Sequence, residues 1–181
     1  MRKAMEGIFH DHGLVVHDKS TTVPQYFLRY DAPRDARSTI KIDVTFPSPK
    51  ANEYQPLQIP EIGRSVMCQS RETWFANKLV AFIERYEHRE SIAGRDLYDI
   101  HQFFLHGFRY HAPVIAERRR TTIKNFFKKL VDFTDRKVTQ TVIDQDLNTL
   151  LPSETFRRVR KLIKRETLMF LRDELMRIEK I

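Results

Sequence analysis

Residues 72–104, ETWFANKLVAFIERYEHRESIAGRDLYDIHQFF, decide how this chain folds. Apolar side chains first recur there at spacings of three and four residues: Trp74, Phe75, Leu79, Phe82, Ile83 and Tyr86. This period predicts an amphipathic helix, and Ser70 or Thr73 is placed to cap its start. Gly94 then interrupts the pattern, and a second helix is expected from about residue 94 to residue 106. Its apolar stripe consists of Leu97, Ile100, Phe103 and Phe104.

The residues before this stretch favour strands. Residues 23–30 are rich in aromatic side chains, and residues 38–46 (STIKIDVTF) alternate between apolar and polar. The alternation places Ile40, Ile42, Val44 and Phe46 on one face and Lys41, Asp43 and Thr45 on the other. Such a strand has one face on a core and the other towards solvent or a cleft. Residues 47–64 contain four prolines and predict a connecting loop, with a short strand over 65–69.

The residues after this stretch favour helices. Pro113 indicates a helix start, and Ile123, Phe126, Phe127 and Leu130 continue a helical period. Pro152 and Ser153 open a last helix. Its stripe comprises Phe156, Val159, Ile163, Leu168, Leu171, Leu175 and Ile178. The chain is therefore predicted to be α+β, with a sheet region over residues 1–70 and a helical region over 71–181.

Composition limits the classes of function. The 181 residues are 41% hydrophobic, without the roughly 18–20 consecutive apolar residues of a membrane span. Charged side chains near the N-terminus argue against a signal peptide, and Cys68 is the only cysteine, so we expect a cytoplasmic protein without disulfides. The net charge of +8 favours polyanionic partners or serves solubility, and most of the positive excess lies in residues 117–129 and 157–165.

Three features could carry chemistry. Asp43 on the polar face of a strand is a carboxylate of the kind that Mg²⁺ prefers, although such residues are more often simply solvated. Lys78 lies on or beside an apolar stripe, where it either extends its ammonium to the surface or contacts an anion such as a nucleotide phosphate. Asp96 and Asp99 share a face near a helix start, where the helix dipole favours acidic groups. Asp96 could also pair with Lys78 or Arg85.

Other familiar sites are absent from the sequence. The seven histidines show no metal-binding spacing, and there is no P-loop, GxGxxG motif or nucleophile elbow.

The order of these elements resembles that of the AbiEii/AbiGii nucleotidyltransferases, toxins of bacterial toxin–antitoxin and phage-defence systems. The family pattern has an acidic strand, here IKIDVTF (40–46), then a helix whose lysine precedes an alanine and an arginine, then an RDxxD helix. In this sequence the matching residues are Lys78, Ala81, Arg85, Arg95, Asp96 and Asp99. The resemblance covers roughly residues 20–110.

The resemblance implies a partial polymerase-β-like nucleotidyltransferase sheet, Mg²⁺ dependence and transfer of a nucleotide from a nucleoside triphosphate, with tRNA as one acceptor. It implies that Asp43 is the third carboxylate, as a metal ligand or as the base for the attacking hydroxyl. It also implies that Lys78 contacts the triphosphate, and that Asp96 and Asp99 orient Lys78 or close the site. Arg85 and Arg95 would support that geometry.

The family pattern also contains an earlier Gly-Gly or Gly-Ser turn followed by Asp-x-Asp, and no such motif precedes Asp43. Two-metal phosphoryl transfer needs ligands that clamp the attacking and leaving oxygens, and one strand carboxylate does not replace three. We therefore expect the chain to begin after the missing motif and to be inactive alone.

Two alternatives to an enzyme follow from the same residues. The basic segments at Arg118–Arg120 and 157–165, with Phe126 and Phe127 nearby, could bind nucleic acid without chemistry; otherwise those phenylalanines are core and the charges are solvated. A third reading is an interaction fragment that binds a cognate antitoxin, or its missing half, through an uncovered sheet edge.

Overall fold

The structure is a computed structural model that describes residues 2–22, 25–34, 36, 38–44 and 47–180. The chain divides into two compact units, Met1–Ser48 and Pro49–Ile181. The division places residues 49–70 with the helices of the second unit. The mixture of helices and small antiparallel sheets confirms the predicted α+β class.

The first unit is a helix on a small antiparallel sheet. Its elements are α1 (Arg2–Asp11), β1 (Val15–Lys19), β2 (Gln25–Arg29) and β3 (Thr39–Asp43), with strand order β1-β2-β3. Phe9 of α1 meets Tyr26 of β2 edge to face at 5.1 Å, and both are buried with Leu28. The sequence did not predict α1, because Met5 and Phe9 are the only α1 side chains that join this cluster.

The apolar face of β3 is less buried than its alternation predicted. Ile42 pairs with Tyr26 and packs against the small core, but Ile40 is 42% exposed and Val44 36% exposed. The helix contacts β1, whereas β3 is at the opposite edge of the sheet. Thr45 and Phe46, the last residues of the predicted strand, lie outside the described residues, as do Val23 and Pro24 of the first one.

The second unit opens with a hairpin where the sequence predicted a loop. Strand β4 (Tyr54–Ile59) pairs antiparallel with β5 (Arg64–Gln69), and a single 3₁₀ turn, Pro60–Ile62, joins them. Pro56 is tolerated within β4 because a two-stranded ribbon leaves one edge of each strand without a ladder. The prediction of a strand over 65–69 is confirmed. The prediction of a loop over 47–64 was wrong for its second half, which contains β4.

Helices make up the remainder of the second unit. They are α2 (Arg71–Arg89), α3 (Gly94–Leu105), α4 (Ala112–Arg119), α5 (Ile123–Lys137), α6 (Gln140–Leu147), α7 (Ser153–Val159) and α8 (Ile163–Glu179). Ser70 caps α2 by accepting a hydrogen bond from the Thr73 N–H at 3.1 Å, and Pro113 stands in the first turn of α4, as predicted. The predicted last helix is two helices, α7 and α8, and α6 was not predicted.

The core of this unit lies between α2 and its neighbours. Phe75, Leu79, Phe82 and Ile83 of α2 are all at most 1% exposed. They belong to one cluster with the stripe residues of α3 and with Phe126, Phe127 and Leu130 of α5. The burial of Phe126 and Phe127 selects the core interpretation of these two residues over a nucleic-acid contact.

Gly94 allows α3 to approach α6 closely. A Cβ at this position would lie 2.9 Å from the carbonyl oxygen of Val142, which is closer than side-chain carbons approach backbone. The Gly94 N–H donates to Asp146 Oδ2 at 2.7 Å, which satisfies one of the free N–H groups of the helix start. The glycine that interrupts the sequence pattern therefore fixes the start of the helix that carries Asp96 and Asp99.

Candidate functional site

Lys78 lies at the centre of an ion-pair cluster between α2 and α3. Its Nζ is 2.6 Å from Asp99 Oδ2 and 3.2 Å from Asp96 Oδ1. The two aspartates lie three residues apart on α3, so both carboxylates face α2. The structure thus brings together Lys78, Asp96 and Asp99, the three candidate residues of this helix pair.

Asp96 is the buried member of the cluster. Its side chain is 3% exposed, and its second oxygen, Oδ2, accepts a hydrogen bond from Arg85 Nε at 3.0 Å. Buried carboxylates are rarely found without a partner, because an isolated charge is strongly disfavoured away from water. The sequence offered Lys78 or Arg85 as the partner of Asp96, and the structure pairs it with both.

The lysine remains charged in this position. Burial alone would lower the pKa of Lys78, but the hydrogen bond and charge of Asp99, together with Asp96, raise the pKa above its ordinary value. An ammonium has three N–H donors, and the two aspartates use two of them. With its side chain 25% exposed, Lys78 can direct the third donor towards an anion at the surface.

Arg95 lies beside this cluster rather than inside it. It is exposed and, among the described residues, forms no ion pair. With Arg85 and Asp146 it lines a surface pocket of about 330 Å³ next to the start of α3. Its role in supporting the site stays a prediction.

Asp43 lies at the end of β3 in the first unit. Its side chain is 52% exposed, and Oδ2 is 2.8 Å from the Nζ of Lys41. Within the described ranges, no three His, Cys, Asp or Glu side chains come close enough to hold a metal ion. Asp96 and Asp99 already bind Lys78 and Arg85. The metal-ligand role of Asp43 therefore stays a prediction.

An aromatic pocket adjoins Lys78, and the sequence analysis did not find it. Six residues line about 240 Å³: Trp74, Asp99, Gln102, Phe103, His106 and Phe108. Trp74 was assigned to the apolar stripe of α2, yet its side chain is 52% exposed. Trp74 and Lys78 are four residues apart and are therefore neighbours on one helix face. This spacing is the sequence feature that could have indicated an aromatic site next to Lys78.

Arg118 and Arg119 of the first basic segment are neutralised within the protein, whereas Arg120 is exposed and forms no ion pair among the described residues. Arg118 pairs with Glu84 and donates to Asn77 Oδ1 at 2.7 Å, while Arg119 donates to both oxygens of Glu87 at 2.7 and 2.9 Å. These contacts hold α4 against α2. They leave Arg118 and Arg119 with little positive charge to offer to a nucleic acid.

The second basic segment, residues 157–165, is more open. Arg160 pairs with Asp144, and Lys164 donates to the carbonyl oxygen of Asp135 at 2.8 Å. Arg158, Lys161 and Arg165 are exposed and make no ion pair in the described part of the chain.

Comparison with known proteins identifies one family. A family model described as "Nucleotidyl transferase AbiEii toxin, Type IV TA system" matches residues 1–175. No curated protein and no solved structure gives a match. Across the described residues, no helix combines the length and apolar character that crossing a membrane requires.

Proposed function

This chain belongs to the AbiEii family of nucleotidyl transferase toxins of type IV toxin–antitoxin systems, and from that premise we propose that its second unit binds a nucleoside triphosphate through Lys78. The reaction served is transfer of a nucleotide from the triphosphate to an acceptor, for which we propose tRNA or another nucleic acid. An antitoxin is the partner that the family suggests.

The arrangement of Lys78 supports this proposal. Its ammonium is held at 2.6 and 3.2 Å by two carboxylates and keeps one donor near the surface. Catalysis of phosphoryl transfer depends on positioning and on charge stabilisation, so a lysine with a fixed ammonium suits a triphosphate contact. In this proposal Asp96 and Asp99 orient Lys78, Arg85 holds Asp96, and Arg95 adds positive charge at the rim.

Mg²⁺ does not fit the described residues as they stand. Asp43 is half-exposed and paired with Lys41, and the clusters of three potential ligands that a metal site requires are missing from the described ranges. Two-metal transfer needs several carboxylates, and Asp43 would serve only as one ligand or as the base beside them. We propose that the chain by itself binds the nucleotide and does not transfer it, and we assign no step to Mg²⁺.

Calorimetry with CTP and with inorganic tripolyphosphate tests the binding proposal. Lys78→Ala should weaken both ligands roughly tenfold or more, because a charge-assisted contact to phosphate is lost. Arg136→Ala is the control, since Arg136 is exposed and its charge is already paired with Asp132. Equal affinities for wild type and Lys78→Ala would show that Lys78 does not contact the phosphates.

A transfer assay tests the second half of the proposal. The chain is incubated with MgCl₂, radiolabelled nucleoside triphosphates and bulk tRNA, and labelled RNA is measured. We expect no label above background. Label in the tRNA would contradict this, and Asp43→Asn would then show whether Asp43 contributes to the reaction.

A further inference from the structure

We infer that the aromatic pocket beside Lys78 is a nucleobase site that favours bases carrying an exocyclic amino group. The inference rests on the proposed function, because it places the base of the nucleotide whose phosphates contact Lys78. It adds the position of the base and the chemistry that selects it.

The pocket has rigid aromatic walls. Trp74 meets Phe103 edge to face, with ring centroids 5.2 Å apart and planes at 88°. Phe103 in turn stacks on the buried Phe75 at 4.6 Å, which anchors this wall in the core of the unit. On the other side Phe108 carries the guanidinium of Arg71 at 4.3 Å above its ring.

The exposure of Trp74 distinguishes this wall from ordinary core. Half of its side chain, 52%, remains accessible although the other large apolar side chains of the same helix are buried or partly buried. Flat aromatic surfaces of this kind bind single bases by stacking, with little dependence on sequence. A planar heterocycle is therefore the ligand class that this pocket suits best.

Asp99 connects the pocket to the phosphate contact. The carboxylate that bonds Lys78 at 2.6 Å also lines the pocket. Trp74 and Lys78 stand four residues apart on α2, which is about 6 Å along the helix axis. A nucleotide that stacks its base on Trp74 can therefore extend its phosphates to Lys78, with Arg71 adding positive charge on the other side.

The hydrogen-bond pattern at the rim gives the preference among bases. Asp99 lines the pocket, and an ionised carboxylate only accepts hydrogen bonds. Gln102 also lines the pocket, and its amide nitrogen lies 3.1 Å from Nδ1 of the buried His101. The acceptor at Asp99 suits the amino group of cytosine, adenine or guanine better than the carbonyl of uracil.

Trp74 is the only tryptophan of the chain, so its fluorescence reports on the pocket alone. We would titrate the whole chain with CTP, UTP, cytidine and tripolyphosphate, and measure affinities in parallel by calorimetry. CTP should quench Trp74 saturably and bind more tightly than UTP. Tripolyphosphate should compete with CTP without quenching.

Variants separate the base site from the phosphate site. Trp74→Ala should weaken CTP roughly 5- to 150-fold, the loss of one base–aromatic stack, and leave tripolyphosphate unchanged. Met169→Ala, which removes an equally exposed apolar side chain on α8, should change neither. Lys78→Ala should weaken both ligands.

The possible failures differ from one another. If CTP and tripolyphosphate bind equally and Trp74→Ala has no effect, the base site is wrong while the phosphate site stands. If cytidine quenches Trp74 but tripolyphosphate does not bind the wild-type chain, the base site stands and the phosphate contact of Lys78 fails. Equal affinity for CTP and UTP would overturn the preference for amino groups. If none of the four ligands binds, or if Trp74 is shielded from acrylamide because another surface covers it, the inference falls.

Discussion

Lys78 and Asp99 meet across α2 and α3 with 2.6 Å between Nζ and Oδ2, at the point where the ion-pair cluster borders the aromatic pocket. The contact joins the proposed phosphate site to the proposed base site. Since Asp99 is 38% exposed and Asp96 only 3%, the two carboxylates differ in their surroundings. Asp96 fixes the cluster to the core, whereas Asp99 faces the surface at which a ligand would arrive.

Replacement of Asp96 by asparagine should destabilise the second unit. The variant keeps the shape of the side chain but leaves Lys78 and Arg85 without their buried counter-ion. Because both cations are partly exposed, we expect about 1–3 kcal/mol rather than the larger cost of a fully buried charge. Urea denaturation measures the change in the free energy of unfolding.

The control is Asp132→Asn, which removes an exposed pair with Arg136 and should change stability by less than about 0.5 kcal/mol. Equal effects would argue against the importance of burial here.

A methyl group at Gly94 should also be destabilising. Alanine there would place its Cβ 2.9 Å from the Val142 carbonyl oxygen and 3.2 Å from the Asp146 side chain, so α3 and α6 would have to separate. Overpacking of this kind costs about 1–3 kcal/mol. Gly7→Ala is the matched control: it lies in α1 with nothing within 4 Å of the new methyl, and alanine favours helix. Thermal unfolding should show a lower melting temperature for Gly94→Ala and no loss for Gly7→Ala.

Sequence reasoning was most successful where one side-chain period runs through a whole element. The stripes of α2 and α3 were continuous, and Ser70 and Gly94 marked their starts, so the helices and the Lys78–Asp96 pair followed. Helix α6 was not predicted, because only two of its side chains, Ile143 and Leu147, are buried, and two residues are too few to show a helical period. Strand β4 of the hairpin was not predicted, because the prolines in its sequence normally indicate a loop.

Exposure and long-range pairing could not be predicted in the same way. Trp74 occupies a stripe position and contacts Phe103 of α3, yet half of its side chain is exposed. Arg118 and Glu84 are 34 residues apart, and no local pattern indicates that their charges meet. The basic character of the segment around Arg118 therefore suggested a nucleic-acid contact that its ion pairs oppose.

Glu87 should make the stability of the second unit sensitive to acid. The hydrogen bond from Arg119, assisted by Lys129, lowers the pKa of Glu87 from 4.5 to about 2 against the opposing effect of burial. A carboxyl whose pKa is lower in the folded state stabilises the fold above its unfolded pKa. That contribution should disappear as the pH falls from about 4.5 to 2.

The measurement is the free energy of unfolding as a function of pH for wild type and Glu87→Gln. The wild-type chain should lose more stability than the variant between pH 4.5 and 2. Asp132→Asn serves as the comparison, because its partner Arg136 is exposed on the same helix. Parallel curves for wild type and Glu87→Gln would contradict the assignment of acid sensitivity to this residue.

Nucleic-acid binding should depend on the second basic segment and not on the first. Arg158, Lys161 and Arg165 are exposed and lack ion pairs within the described residues, whereas Arg118 and Arg119 are engaged by Glu84 and Glu87. Replacing the three open cations by alanine should weaken tRNA binding and flatten its dependence on salt. Each lost phosphate contact reduces the slope of log K against log salt by roughly 0.7–0.9. The slope is obtained from filter-binding titrations at several salt concentrations, with Arg136→Ala as the control on an exposed but paired arginine. An unchanged slope in the triple variant would place the contact elsewhere, because a surface that neutralises no phosphate releases no counter-ions when it is altered.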